Sequence, residues 1–63
     1  MQIGQRCQLE NGARGEIKYI GKVIDIGYGW FIGIELDQPV PGFGDGTVEG
    51  MYYFMCDIGK GVF

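Results

Sequence analysis

Hydrophobic and polar positions alternate most clearly over residues 30–36, where Ile32, Ile34 and Leu36 interleave with Phe31, Gly33 and Glu35. That period of two predicts a β-strand with its Ile/Leu side toward the core. The other side begins with the Phe31 ring and continues with Gly33, which is expected to leave open space beside it. Weaker alternation predicts a short strand over 6–9, with Cys7 and Leu9 opposite Arg6 and Gln8. It predicts a second over 15–20, with Ile17 and Tyr19 on one face, Lys18 and Ile20 on the other, and Gly21 closing it. Thr47-Val48 reads as a short strand, 51–56 as the last long one, and 61–63 as a short closing edge.

The breaks between these runs are turn chemistry. Asn11-Gly12 and Glu49-Gly50 supply turns. Residues 22–29 form a loop ending in Gly27-Tyr28-Gly29, too glycine-dense for a regular strand. The prolines of 37–41 cannot donate to a ladder and stop the 30–36 strand. Residues 42–46, with glycine at 42, 44 and 46, form the next loop. The chain holds 13 glycines, and no glycine-free run exceeds eight residues. An average helix of about 11 residues would include at least one, at roughly 1 kcal/mol each. The expectation is an all-β, glycine-rich antiparallel barrel with no substantial helix, a single domain over 1–63. Disorder is excluded by the 46% hydrophobic content and nine aromatic residues.

Composition narrows function mainly by exclusion. Sixty-three residues support one core, so function is expected on loops and on the outer sheet face. A net charge of -3 lacks the cationic footprint of a nucleic-acid binder. No apolar run reaches the roughly 18 residues of a membrane span, and Met1 is not followed by a signal-type segment, so a soluble, non-secreted chain is expected. Cys7 and Cys56 are then expected as buried, reduced thiols. There is no histidine and no serine. Ser-His and Cys-His nucleophilic sites are therefore absent, and two thiols cannot complete an all-cysteine zinc cage. Neither catalysis nor a cofactor or metal is expected.

Longer motifs carry a family likeness. Residues 29–39, Gly-Trp-Phe-Ile-Gly-Ile-Glu-Leu-Asp-Gln-Pro, resemble the stretch G-x-W-x-G-x-x-L-D-x-P of CAP-Gly domains, with Phe31 at the tryptophan position. Residues 42–50 are similar to the signature G-K-N-D-G-S-x-x-G, Tyr53-Phe54-Met55-Cys56 to Y-F-x-C, and Lys60-Gly61-Val62-Phe63 to K-G-x-F. The likeness runs from Gly4 to Phe63. The opening Gly4-Gln5-Arg6-Cys7 is similar to the G-x-R-C start of the tubulin-folding cofactor B branch. The resemblance implies an SH3-like barrel that binds C-terminal tails ending in Glu-Glu-Tyr or Glu-Glu-Phe, chiefly those of α-tubulin and end-binding proteins. It also implies a cytoplasmic, cytoskeleton-associated, chaperone-type setting. In this scheme an apolar groove takes the terminal ring and a Lys-Asn pair meets the acidic tail.

Three polar handles of the family pattern are replaced here. Phe43 stands at the Lys position, Gly44 at the Asn position, and Tyr52 where a basic residue is common. Two lost charge-assisted bonds at about 1.5 to 3 kcal/mol each would weaken tail binding roughly a hundredfold or more. An extra residue at Val40-Pro41 is expected to reshape the loop. The backbone N–H groups of 42–46 and aromatic contact are left to hold a tail. The peptide-binding residues implied are Ile26, Trp30, Phe31, Gly42, Phe43, Gly44, Asp45, Gly46 and Tyr52.

Trp30, Phe31 and Phe43 have a plainer alternative as core fillers of a domain short of apolar volume. Phe31, opposite the aliphatic side of its strand, is assigned to a groove. Trp30 is open between groove and core, since a bulge at Gly29 exchanges its face. Phe43, in its glycine loop, is expected to be exposed. Asp45 is expected to cap backbone N–H groups, not to act as a catalytic acid. A different ligand class, a cationic or methyl-lysine peptide, would suit an aromatic cage of Tyr28, Trp30, Phe31, Tyr52 and Tyr53 beside Glu35 or Asp37.

Overall fold

The computed structural model describes residues 1–63 and consists of strands, turns and loops with no helix. Six strands follow in order: β1 (Arg6–Gln8), β2 (Arg14–Gly21), β3 (Phe31–Leu36), β4 (Thr47–Val48), β5 (Met51–Tyr52) and β6 (Gly61–Val62). The first three and the last form an antiparallel sheet in the order β1-β2-β3-β6, and β4 and β5 form a separate hairpin. The hairpin turn is Glu49-Gly50, both at positive φ (50° and 81°). That is the type I′ geometry matched to the twist of two-residue hairpins. The two sheets are tied at Gly44 and Gly61, whose N–H and C=O groups bond each other at 2.9 Å in both directions.

Strict alternation fails in β2. Ile17 pairs with Ile34, but Tyr19 pairs with Gly33 and Ile20 with Ile32, so a bulge falls between Ile17 and Tyr19. Ile17 and Tyr19 therefore lie on opposite faces, correcting the expectation that they share one. The extra residue, Lys18, reaches Glu16 (3.1 Å) and Glu35 (3.7 Å). Tyr19 crosses to the Gly33 side, where its hydroxyl donates to the Lys22 carbonyl at 2.9 Å.

The space beside Gly33 is filled, not open. A Cβ at Gly33 would lie 2.5 Å from the Phe54 ring and 2.9 Å from the Tyr19 Cβ. Phe54 fills this face with help from Phe63, whose ring centroid is 5.5 Å away, and Tyr19, Tyr53 and Phe63 stack edge-on around it. On the Ile/Leu side, Ile17 and Leu36 are buried while Ile32 and Ile34 are only half-buried. Both faces of β3 are thus covered, and the interior is divided between a small aliphatic cluster and an aromatic one.

The last long strand is also shorter than expected. Pairing stops at Tyr52, because the N–H groups of Tyr53 and Phe54 both turn toward one acceptor, the Gly46 carbonyl (3.0 and 3.4 Å). The bend drives Phe54 inward. Its carbonyl lies so close to Gly46 that a Cβ there would collide with it, and Gly46 also has φ +92°. Close approach and left-handed backbone together require glycine at this position.

Candidate functional site

Residues 42–46 run along the β6 edge, pinned by backbone bonds. Phe43 N–H donates to Val40 (3.1 Å) and Gly44 N–H to Gly61, while the Gly44 carbonyl accepts from both Gly59 and Gly61 at 2.9 Å. Asp45 Oδ1 accepts from the Thr47 hydroxyl at 2.6 Å and from the Thr47 N–H at 3.1 Å. This is the expected cap. The Thr47 hydroxyl, and then its N–H, hold the Asp45 carboxyl below the usual aspartate range. The N–H groups of Gly42 and Gly46 donate to no protein acceptor, Gly46 being buried, while that of Asp45 turns to its own carboxylate. Of the five peptide donors expected to serve a ligand, those of Phe43 and Gly44 are taken, and only that of Gly42 is both unpaired and exposed.

Beside this loop lies an apolar groove of about 530 Å³ lined by Pro39, Val40, Pro41, Gly42, Phe43, Ile58 and Gly59. Phe43 is half-buried in its wall, less exposed than its glycine-rich neighbourhood predicts. The groove carries no charged side chain. Ile58, an exposed wall residue, was not legible as a site residue, and Pro39 and Pro41 read only as strand breakers.

Across Gly44, a second groove of about 360 Å³ contains Asp45 and Tyr52 with Glu35, Met55, Cys56 and Asp57. Its walls are acidic. Burial pushes the Cys56 thiol up, and the surrounding carboxylates act in the same direction. Cys7 and Cys56 are both free and half-buried, less enclosed than expected.

The remaining candidates sit on the β2–β3 connection, residues 22–30. Val23 is its one buried residue, and the N–H groups of Ile26 and Gly27 both turn back onto the Val23 carbonyl at 3.0 and 3.2 Å. Trp30 is 75% exposed, which settles it outside the core. Phe31 is half-buried on the face carrying Gly33, its ring tip near Gly27. Ile26 is exposed, and Ile24, Gly27 and Tyr28 line a third, apolar cavity of about 380 Å³. The structure thus gathers Gly42 with Phe43, and Asp45 with Tyr52, while Ile26, Trp30 and Phe31 belong to neither groove.

Charge is mostly spent internally. Arg6 makes a two-point contact with Asp37 across 31 positions, raising the arginine pKa and lowering that of the aspartate. Lys18 bonds Glu16 and Glu35, and Lys60 approaches Asp57 at 3.9 Å. Arg14 borders a groove with Asp37 and helps depress its pKa. Lys22 meets no carboxylate and lies 5.5 Å over the Trp30 ring. Nothing in the hydrophobic pattern marks that contact.

The alternative aromatic cage is not assembled. Of its five rings only Tyr53 stacks with another aromatic side chain, and its partners are Tyr19 and Phe63. Glu35 and Asp37, the acids proposed for it, are engaged by Lys18 and Arg6. No group of three or more cysteine, aspartate or glutamate side chains is placed to hold a metal ion.

Comparison with known proteins draws these features together. A family model described as CAP-Gly domain matches residues 3–63. The chain is 42% identical over 57 residues to tubulin-folding cofactor B of Arabidopsis thaliana, covering 89% of this chain and 23% of that protein. It is 46% identical over 59 residues to tubulin-specific chaperone E of Dictyostelium discoideum, covering 94% and 11% respectively. With the human CAP-Gly domain-containing linker protein 3 it shares 39% identity over 62 residues, 98% of this chain and 11% of the linker. The chain therefore spans less than a quarter of the length of each of these relatives. The signature loop, the paired Gly44 and Gly61, and the match over nearly its whole length place this chain in the CAP-Gly domain family.

Proposed function

We propose that this domain is a protein-interaction module that holds the acidic, aromatic-ended C-terminal tail of a partner of the α-tubulin type, with weakened or altered selectivity. Its place is accordingly cytoplasmic and cytoskeletal, and it carries out no catalysis. The observation that carries the reading is the apolar groove at Phe43, whose lining includes the exposed Gly42 with its unpaired N–H. A terminal ring suits the uncharged walls, and a terminal carboxylate suits a free peptide N–H, whose bond to an anion is among the stronger ones. The relatives named as tubulin cofactors and chaperones support a partner of the tubulin class. Phe43 and Gly44 replace the charged and amide handles, so the tail is held by backbone and ring and its affinity is reduced.

Fluorescence titration of three labelled peptides tests this. One ends in Glu-Glu-Tyr, the second lacks its final Tyr, and the third carries trimethyl-lysine. The expected result is selective uptake of the intact acidic tail. Equal, negligible binding of the first two removes the proposal, and preference for the third returns the cationic-ligand reading.

A further inference from the structure

An acidic tail needs a cation, and the signature loop offers none. The chain has five basic residues against eight acidic ones. Arg6 is held by Asp37, Lys18 by Glu16 and Glu35, and Lys60 lies near Asp57, while Arg14 adds to the field on Asp37. Lys22 and Arg14 make no salt bridge, but Arg14 sits beside Asp37, whereas Lys22 meets no carboxylate and is the one cation seated on an aromatic ring. Its side chain is exposed, and its ammonium is steadied over the Trp30 ring, 5.5 Å from the centroid. A lysine already resting on an aromatic face loses less freedom on meeting an anion than a free one. Around it stand the most exposed apolar side chains of the connection, Ile24, Tyr28 and Trp30.

The geometry points to Lys22, seated on Trp30, as the residue that reads the acidic character of the tail in place of the missing signature-loop lysine. This deepens the tail-binding reading and rests on it. The longest extent of the domain is 26 Å, which an extended peptide of about eight residues can span. A tail whose end lies at residues 42–46 can therefore present its upstream glutamates to the β2–β3 connection. Charge complementarity selects the occupant, since Lys22 is an exposed cation free of any salt bridge and already oriented on an aromatic face, on a molecule of net charge -3.

The test compares an eight-residue peptide ending in Glu-Glu-Tyr with its Gln-Gln-Tyr counterpart, on the wild type, Lys22→Gln, Lys22→Glu, Lys22→Arg and Arg14→Gln. At low salt, Lys22→Gln is expected to weaken binding of the acidic peptide about threefold and Lys22→Glu about tenfold. Both differences are expected to shrink as salt rises toward about 0.5 M. Lys22→Arg and Arg14→Gln are expected to bind as the wild type does, and the neutral peptide to be indifferent to residue 22. Unchanged acidic-peptide binding by Lys22→Glu overturns the inference and leaves the tail-binding reading standing, as does an equal loss for both peptides. Failure of the wild type to bind either peptide overturns both.

Discussion

Residues 42–46 and residues 22–30 are the two glycine-rich connections of the molecule, and they are built to opposite ends. In the first, Gly44 exchanges bonds with Gly61, Gly46 gathers two N–H groups at its carbonyl, and Asp45 is capped onto Thr47. In the second, one buried valine anchors a short turn, and Ile24, Ile26, Tyr28 and Trp30 are left in water. The first connection spends its glycines on close approach and gains a rigid platform. The second spends side chains on solvent, which the chain can ill spare with only Ile17, Val23, Leu36 and Phe54 as its buried apolar core. Exposed apolar surface in a small domain is a cost unless a partner covers it. On the proposed reading, one connection positions and the other contacts.

Substitutions at the two regions should separate widely. Phe54→Ala removes the ring that fills the space beside Gly33 and is expected to cost about 3 to 5 kcal/mol in chemical denaturation, enough to unfold a domain of this size. Gly46→Ala should cost about 3 kcal/mol, since its Cβ meets the Phe54 carbonyl in a left-handed backbone. Ile24→Ala, in the exposed connection, should change stability by less than about 0.5 kcal/mol. A comparable loss at Ile24 would show that the β2–β3 connection is structural after all.

Restoring the polar handles sharpens the same contrast. Phe43→Lys with Gly44→Asn should strengthen binding of a Glu-Glu-Tyr tail by about tenfold or more, read by titration. Gly44 has negative φ and a Cβ there would come no closer than 3.7 Å to another atom, so asparagine fits. At the hairpin, Glu49 occupies a left-handed conformation that asparagine tolerates better, and Glu49→Asn should stabilise by about 0.5 to 1 kcal/mol.

The smallest effect is pH-dependent. The Asp45 pKa is depressed in the fold, so its contribution is complete above the unfolded value near about pH 4 and is lost as pH falls through the folded value. The melting-temperature gap between wild type and Asp45→Asn should therefore narrow on acidification from about pH 6 toward pH 2. A constant gap would mean that the cap acts without its charge.

Much of this architecture was legible in the order of residues. The alternation at Ile32, Ile34 and Leu36 marked β3, and Glu49-Gly50 marked the hairpin turn, because both depend on neighbours in sequence. The bulge at Lys18 was not legible, since an inserted residue shifts the faces without altering composition. Nor was the early end of β5, because Tyr53, Phe54 and Cys56 have strand chemistry and the bend is imposed by the distant Gly46 carbonyl. For the site, Asp45 as a cap was local and readable. The partition of the candidates between separate grooves depends on tertiary placement, as do the pairing of Arg6 with Asp37 and the seat of Lys22 on Trp30.

The most direct measurement is a two-dimensional amide NMR titration of the domain with a peptide ending in Glu-Glu-Tyr. The account predicts shifts concentrated at Gly42, Asp45 and Gly46, at the Ile58-Gly59 wall, and at Lys22 and the Trp30 indole, with β1 undisturbed. Shifts confined to β1 and the 11–14 turn, or none at saturating peptide, would contradict it.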